Sequence, residues 1–175
     1  MNTLDGFLAE KRASMGTYMA AAMADPKAVD ISAVVEVRGR SGVRVIKIRQ
    51  FEMISDTEPD LAGFDLGPLS PEHQLAALGG CIAHTAEMVA AAMELAIDTI
   101  GVQVSAQMHP LAQTPGYENI PRTPYNIRYT LSIKSNEPAA KIEAMHSQIE
   151  LVCPIYNLIK LPQSIAGELI LSRSS

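Results

Sequence analysis

The chain has 175 residues, of which 47% are hydrophobic and 19% charged, a composition typical of one globular domain with a sizeable core. Its formal net charge is -5 and it contains no run of basic residues. Nucleic-acid binding needs clustered Lys and Arg to neutralise phosphates, and membrane crossing needs an apolar run of about 20 residues. We therefore predict a single domain over residues 1–175 that binds neither nucleic acid nor membrane.

The N-terminal segment is apolar and carries basic residues, as a signal peptide does. Asp5 and Glu10 do not fit the positively charged start of such a peptide, so we interpret the segment as an amphipathic helix from about Leu4 to Met23. The chain has only two cysteines, too few for a secreted disulfide scaffold. We expect a cytoplasmic protein, in which a cysteine pair is more often catalytic or redox-sensing than structural.

Hydrophobic periodicity predicts the remaining elements in chain order. Alternating apolar residues indicate strands at 31–37, 43–49, 51–54, 102–108, 127–133 and 165–171. A long apolar helix follows Ser70 as its N-cap and Pro71 as its first residue, and runs to about Ala96. A shorter helix capped by Asn136 precedes Cys153. Strands and helices segregated in this way predict an α+β fold.

The helix from Pro71 to Ala96 is apolar on nearly all sides, which is typical of a buried helix. A small α+β domain covers only part of such a helix, and a two-fold dimer is the commonest way to cover the rest. Gly79-Gly80 within it has two interpretations: close packing against a neighbouring element, or a kink that restarts the helix just before Cys81.

Cys81 is either an inert core thiol or a nucleophile. Free cysteine is among the most buried residue types, whereas a cationic neighbour or a helix N-terminus lowers a thiol pKa and yields reactive thiolate. His84 lies one helical turn after Cys81 and is placed to touch the sulfur or share its pocket. A core histidine bonded to a backbone carbonyl is the equally weighted alternative for His84.

Cys153 stands immediately before Pro154, where a short further helix can start. It is either a small buried residue or a thiol exposed to the unpaired N–H groups of a first helical turn, which favour thiolate. A zinc site built from both cysteines with His73 and His84 is disfavoured, because the two histidines lie about 16 Å apart along a straight helix. No phosphate-binding, dinucleotide-binding or hydrolase motif is present, and we expect no metal and no cofactor.

Three sequence blocks together resemble the OsmC/Ohr family of osmotically inducible and organic hydroperoxide resistance proteins. They are Gly67-Pro68 followed by Glu72, the run from Leu75 to Cys81, and Cys153-Pro154-Ile155. The resemblance covers about residues 34–171 and leaves the N-terminal helix as an addition. It implies antiparallel strands packed around long buried central helices, in an intertwined homodimer.

The resemblance also implies roles for individual residues. Cys81 would be the peroxidatic thiol and Cys153 the resolving thiol, with a small or protein-bound dithiol as reductant. Family peroxidases use an arginine from the early strands and a glutamate ahead of the first cysteine. Glu72 stands at that glutamate position, and the hairpin turn at 38–42 favours Arg40.

Several alternatives stay open in this assignment. Arg38 and Arg44 compete with Arg40, since alternation along a strand sends neighbours to different faces. Glu72 precedes Cys81 by nine residues, which places the two on opposite faces of an ideal helix.

Our functional hypothesis is a thiol-dependent peroxidase that reduces organic hydroperoxides, with His84 and Met88 as substrate contacts. The alternative is a non-enzymatic dimer that binds a small apolar ligand in a methionine-lined groove.

Overall fold

The structure, a computed structural model, describes residues 4–172. Its helices are α1 (Asp5–Ala24), α2 (Ser70–Ala92), α3 (Ala139–Val152) and α4 (Pro154–Lys160). Its strands are β1 (Val34–Val37), β2 (Arg44–Ile48), β3 (Phe51–Ser55), β4 (Thr99–Gln107) and β5 (Tyr125–Lys134). The strands form two antiparallel sheets, β1-β2-β3 and β4-β5. This is the predicted α+β architecture, and α1 lies where the additional N-terminal helix was expected.

The long helix α2 is the centre of the core. It packs against α1, β4, α3 and α4, and it contributes several of the most buried side chains. The core comprises Leu8 of α1, Leu78, Ile82, Ala86, Val89 and Ala90 of α2, Leu95, Ile97, and Met145 and Ile149 of α3. By length and composition alone α2 is apolar enough to cross a membrane, which the sequence analysis did not anticipate, and 39% of its most apolar stretch is buried.

The Gly79-Gly80 pair lies inside an uninterrupted helix. A Cβ on Gly79 would lie 3.1 Å from Cγ2 of Val104, so the missing side chain lets α2 approach β4 closely. The close-packing interpretation is therefore confirmed, and the alternative interpretation, a kink that restarts the helix before Cys81, is wrong.

The start of α2 differs by one residue from the prediction. Ser70 is the first helical residue and Leu69 the N-cap. The carboxylate of Glu72 accepts the backbone N–H of Leu69 at 2.7 Å. The Glu72 side chain thus accepts a backbone N–H that would otherwise be unpaired at the start of the helix. The helix dipole also favours an anion at this position.

The β1-β2-β3 sheet has one strongly apolar face. The pairing register places Val35, Ile46 and Met53 side by side, next to Ile48 paired with Phe51, because directly paired residues share a face. Val35, Phe51 and Met53 of this face are between 40% and 55% exposed. The opposite face carries Lys47 and Glu52. An uncovered apolar face of this kind is typical of a surface that packs against another molecule.

The loop that joins β3 to α2 is held tightly. The buried carboxylate of Asp56 accepts the backbone N–H of Phe64 at 2.9 Å and that of Leu66 at 3.2 Å. A Cβ on Gly63 would overlap the carbonyl oxygen of Thr57. Glycine is therefore required for the close approach of two backbone segments, and the loop fixes where α2 begins.

Two predicted features are wrong. The segment 165–171 is not a strand, and its residues Ile165 and Leu169 are 94% and 88% exposed. A strand forms only where a free strand edge lies beside the segment. No strand in residues 4–172 pairs with this segment. Asn136 does not cap α3, which begins at Ala139 after Pro138. Because the fixed φ of proline suits a helix start, the helix boundary lies at Pro138 and not at Asn136.

Candidate active site

The two cysteines meet in the fold. Cys81 lies in the middle of α2, and Cys153 is the single residue between α3 and α4. The Cys153 thiol donates to Sγ of Cys81 at a sulfur–sulfur distance of 3.5 Å. Cys153 is fully buried, Cys81 is half-buried, and both are free thiols. Since a disulfide needs about 2.05 Å between the sulfurs, a small side-chain movement would join them.

The surroundings of Cys81 act on its pKa in opposite directions. Burial raises the pKa of the Cys81 thiol above its ordinary value, and the neighbouring Cys153 thiol adds to that rise. The backbone N–H of Ile155 and the hydroxyl of Thr85 face the sulfur and lower the pKa, but they do not outweigh burial. The reduced thiol is therefore predominantly protonated at neutral pH in the environment that one chain supplies.

The contacts of Ile155 and Thr85 went unrecognised in the sequence. The first-turn N–H groups after Cys153 were expected to serve Cys153, but that of Ile155 faces Cys81. Thr85 follows Cys81 by four residues, which places the two side chains on one helix face. That spacing was the available signal for Thr85, whereas the Ile155 contact depends on how α4 packs against α2.

Cys153 occupies a well-defined corner. Its N–H donates to Ile149 O at 2.9 Å and closes the last turn of α3, while its carbonyl accepts the N–H of Asn157 at 3.1 Å and opens α4. The predicted short helix starting at Pro154 is present, with Cys153 as its N-cap. One residue thus ends one helix and starts the next, which leaves its side chain little freedom of position.

His84 lies in a cluster of charged side chains at the surface. Its Nδ1 lies 3.3 Å from Nζ of Lys11 and 3.7 Å from Oε2 of Glu87, and its side chain is 61% exposed. Lys11 donates to Glu87 at 2.7 Å and ties α1 to α2 through this cluster. His84 therefore lies beside the added helix, and its predicted contact with substrate stays a prediction.

Met88 lies two turns beyond Cys81 at the edge of an apolar cavity of about 500 Å³ between α1, α2 and α3. Met15, Met93 and Val152 line the same cavity. The methionine-lined groove of the binding hypothesis is thus present as a feature of the surface. Methionine suits such a groove because its unbranched side chain adapts to varied apolar shapes.

Within one chain, Arg40 and Glu72 do not join the thiols. Glu72 stands in the first turn of α2, about 13.5 Å along the helix before Cys81. Arg40 is exposed in the β1–β2 turn and forms no ion pair among residues 4–172. Arg44 donates to Gly42 O at 2.9 Å and to Ser55 Oγ at 3.2 Å. The roles predicted for Arg40 and Glu72 stay predictions.

A polar cluster on β5 and α3 was not foreseen. Oη of Tyr129 donates to Glu150 at 2.6 Å and lies 2.6 Å from Nε2 of His146. Because the phenol proton goes to the carboxylate, Nε2 of His146 carries the proton of the second bond. Burial and the Glu150 carboxylate raise the pKa of Tyr129. Tyr129 is therefore held as a neutral donor, and its ring packs edge-on against Tyr156 of α4.

Among residues 4–172, no three His, Cys, Asp or Glu side chains come together in an arrangement that could hold a metal ion.

These features define a class: α+β proteins with a central helix whose cysteine faces a second cysteine at a Cys-Pro corner. A family model of OsmC-like proteins matches residues 63–166. The chain belongs to the OsmC-like protein family, as the sequence blocks around its two cysteines predicted. By sequence, no curated protein matches the chain.

Solved structures share the fold at low sequence identity. An OsmC-like protein from Mycoplasma pneumoniae is 21% identical with a TM-score of 0.61, over 77% of this chain and 89% of its own. An organic hydroperoxide resistance protein OsmC from Legionella pneumophila is 15% identical with a TM-score of 0.55, over 77% and 92%. An organic hydroperoxide resistance protein from Elizabethkingia anophelis is 14% identical with a TM-score of 0.51, over 77% and 91%.

Proposed function

We propose that this protein is a thiol-dependent peroxidase that reduces organic hydroperoxides through Cys81 and Cys153. The observation that carries the proposal is the 3.5 Å separation of the two sulfurs, which is the proximity that a two-cysteine cycle requires. The substrate class is supported by relatives of the same fold that are named organic hydroperoxide resistance proteins. We place the reaction in the cytoplasm, where the reducing conditions return both thiols to their starting state.

The cycle has three steps. The Cys81 thiolate attacks the distal peroxide oxygen, the O–O bond breaks, and the alkoxide leaves as an alcohol after taking up a proton. Cys81 is now a sulfenic acid. The Cys153 sulfur attacks it, the S–S bond forms, and the S–O bond breaks with loss of water. A dithiol reductant then exchanges with the disulfide, becomes oxidised itself and restores both thiols.

The first step needs a cation near Cys81, because burial raises the pKa of its thiol in the single chain. We assign that task to Arg40, which would also hold the peroxide, with Glu72 orienting the guanidinium. Arg40 lies in an exposed turn of the β1-β2-β3 sheet, whose apolar face is uncovered. We propose an intertwined homodimer in which a second copy covers this face and completes the site.

A ligand-binding protein is the second candidate. The apolar cavity of about 500 Å³ beside Met15, Met88 and Met93 favours it, since it offers room for a small apolar molecule without involving either thiol. In this function the cysteines would be core residues and the dimer a scaffold. The two candidates differ in whether low concentrations of peroxide oxidise the thiols.

The test compares two single variants with the wild type. One equivalent of an alkyl hydroperoxide is added to each reduced protein, and mass spectrometry follows the thiols in the presence of a sulfenic-acid trap. We expect Cys81→Ser to consume no peroxide, even with excess dithiol. We expect Cys153→Ser to consume about one equivalent per subunit and to stall as a trapped sulfenic acid on Cys81.

Two results would count against this assignment. An adduct on Cys153 in the Cys81→Ser protein would reverse the roles of the thiols. Absence of oxidation at either thiol in the wild type would leave the ligand-binding function.

A further inference from the structure

We propose that Asn157 is a positioning residue that holds the corner at Cys153, so that the Cys153 thiol and the Ile155 N–H both face Cys81. The corner between α3 and α4 interrupts the backbone hydrogen bonds of a continuous helix. In a continuous helix the carbonyl of Glu150 would accept the N–H of residue 154, but proline has none. The carbonyl of Leu151 would accept the N–H of Ile155, which instead faces the Cys81 sulfur.

The side chain of Asn157 supplies the missing donors. Its Nδ2 lies 3.1 Å from Glu150 O, 3.2 Å from Leu151 O and 2.9 Å from Cys153 O. A carboxamide has two N–H groups, so three carbonyls share them through one bifurcated bond, as is common at helix ends. The carbonyls of Glu150 and Leu151 are orphan acceptors of the α3 C-terminus, whereas that of Cys153 also accepts the backbone N–H of Asn157. One side chain therefore ties the end of α3 to the corner residue that precedes α4.

The position of this break controls two contacts of Cys81. Cys153 is the only residue between the two helices, and its sulfur lies 3.5 Å from that of Cys81. Ile155 follows it in the first turn of α4. A shift of the corner would therefore move the partner thiol and the N–H donor away from Cys81 together. A residue that fixes the corner raises the effective concentration of one thiol at the other.

The part of this inference that concerns sulfenic acid rests on the proposed peroxidase function. The part that concerns sulfur proximity does not, because any oxidised dithiol can close the pair by exchange. The experiment therefore uses a thiol–disulfide equilibrium and no peroxide. The full-length protein is equilibrated with mixtures of reduced and oxidised dithiothreitol, quenched by alkylation, and its oxidised fraction is measured by mass spectrometry.

The informative variant is Asn157→Asp, which keeps the size of the side chain, removes both donors and sets a carboxylate against three carbonyls. We expect the equilibrium constant for the Cys81–Cys153 disulfide to fall at least tenfold, which corresponds to about 30 mV for a two-electron couple. Asn136→Asp is the matched control, since Asn136 is exposed and lies outside the helices. It should leave the constant within twofold of the wild type.

A purely structural role would give a different result. Loss of stability alone would affect the reduced and oxidised forms alike and would leave the equilibrium constant unchanged, even if the melting temperature fell. If Asn157→Asp does not fold, Asn157→Ser keeps one donor and is measured instead, with a fall expected in the same direction. An unchanged constant in the folded variant overturns the proposal.

The outcomes also separate this inference from the proposed function. A wild type that forms the disulfide with dithiothreitol but ignores peroxide would contradict the peroxidase function, while a lowered constant in the Asn157 variant would still support the positioning role. A wild type that reduces peroxide, with an unchanged constant in the variant, would contradict only the positioning role.

Discussion

Cys81 has a helix N–H, a hydroxyl and a second thiol around its sulfur, yet burial keeps its pKa above the ordinary value in a single chain. A thiolate nucleophile at neutral pH requires the opposite. Under the proposed peroxidase function, a positive charge would supply the missing stabilisation of the thiolate. Arg38, Arg40 and Arg44 are the candidates, and Arg44 is already engaged with Gly42 and Ser55.

We predict that Arg40→Ala raises the pKa of Cys81 and slows its reaction with iodoacetamide at neutral pH. Below the thiol pKa the thiolate fraction rises tenfold per pH unit, so the rate should keep rising with pH further in the variant than in the wild type. The pKa direction follows from burial without a compensating cation. The measurement is the alkylation rate of Cys81 across pH, resolved from Cys153 by peptide mass spectrometry.

Arg38→Ala and Arg44→Ala serve as matched controls for the loss of one charge. They should leave the pH profile close to that of the wild type. A shifted pH profile in one control, with none in Arg40→Ala, would assign the role to the arginine changed in that control. Identical profiles for all four proteins would show that none of these three arginines stabilises the Cys81 thiolate.

At the scale of elements, the loop between β3 and α2 determines where the central helix starts. Asp56 binds two N–H groups of the loop, and Gly63 lets its backbone touch that of Thr57. Both features lie just before the helix that carries Cys81. These contacts of the loop therefore fix the position at which α2 begins.

We predict that Gly63→Ala lowers the free energy of unfolding by about 1 to 3 kcal/mol, because the new methyl group would overlap a backbone carbonyl that is unable to move aside. Gly16→Ala is the comparison, since a Cβ there meets nothing within 4 Å. Gly16 lies inside α1, and alanine should stabilise that helix by about 0.5 to 1 kcal/mol. Urea unfolding of both variants measures the two changes.

The opposite signs make this pair informative. If Gly63→Ala were as stable as the wild type, the close contact with Thr57 would not exist in solution. If Gly16→Ala destabilised the protein, position 16 would not be the open site within α1 that the structure shows.

At the scale of the whole molecule, apolar surface is distributed in a way that one chain does not explain. The β1-β2-β3 sheet exposes Val35 and Met53 on one face. The C-terminal segment leaves Ile165 and Leu169 at 94% and 88% exposed. Met88 of α2 and Met93, the C-cap of that helix, lie at the surface as well. Surface of this extent matches the proposed dimer, whose interface should exceed about 2,000 Å² in total.

We predict that the protein has twice the 18.8 kDa mass of one chain in solution, as measured by light scattering at micromolar concentration. Met53→Glu should shift it towards the monomer, because it places a charge within the apolar sheet face. Glu52→Gln is the matched control on the opposite face of the same strand and should leave the mass unchanged. A monomeric wild type would refute the dimer, and a dimeric Met53→Glu protein would place the interface elsewhere.

Some of the site was predictable because its signals are local. The two cysteines are the only pair in the chain, and Pro154 marks a helix start after Cys153. Asn157 gave no such signal, since the carbonyls of Glu150 and Leu151 become orphan acceptors only when α3 ends at Val152. The cluster of Tyr129, His146 and Glu150 was missed for a similar reason, because its contacts depend on how β5 packs against the helix that follows it.

The sequence by itself determined the α+β class, the positions of the helices and of strands β1 to β5, and the family. Those features depend on periodicity and on motifs that act over a few residues. Only the tertiary structure decided that Cys81 and Cys153 touch, that the N–H of Ile155 lowers the pKa of Cys81, and that Gly79 packs on Val104. The predicted strand at 165–171 fails on the same ground, because pairing depends on a strand edge that sequence periodicity does not locate. Contacts between distant elements follow from packing geometry, which local patterns do not encode.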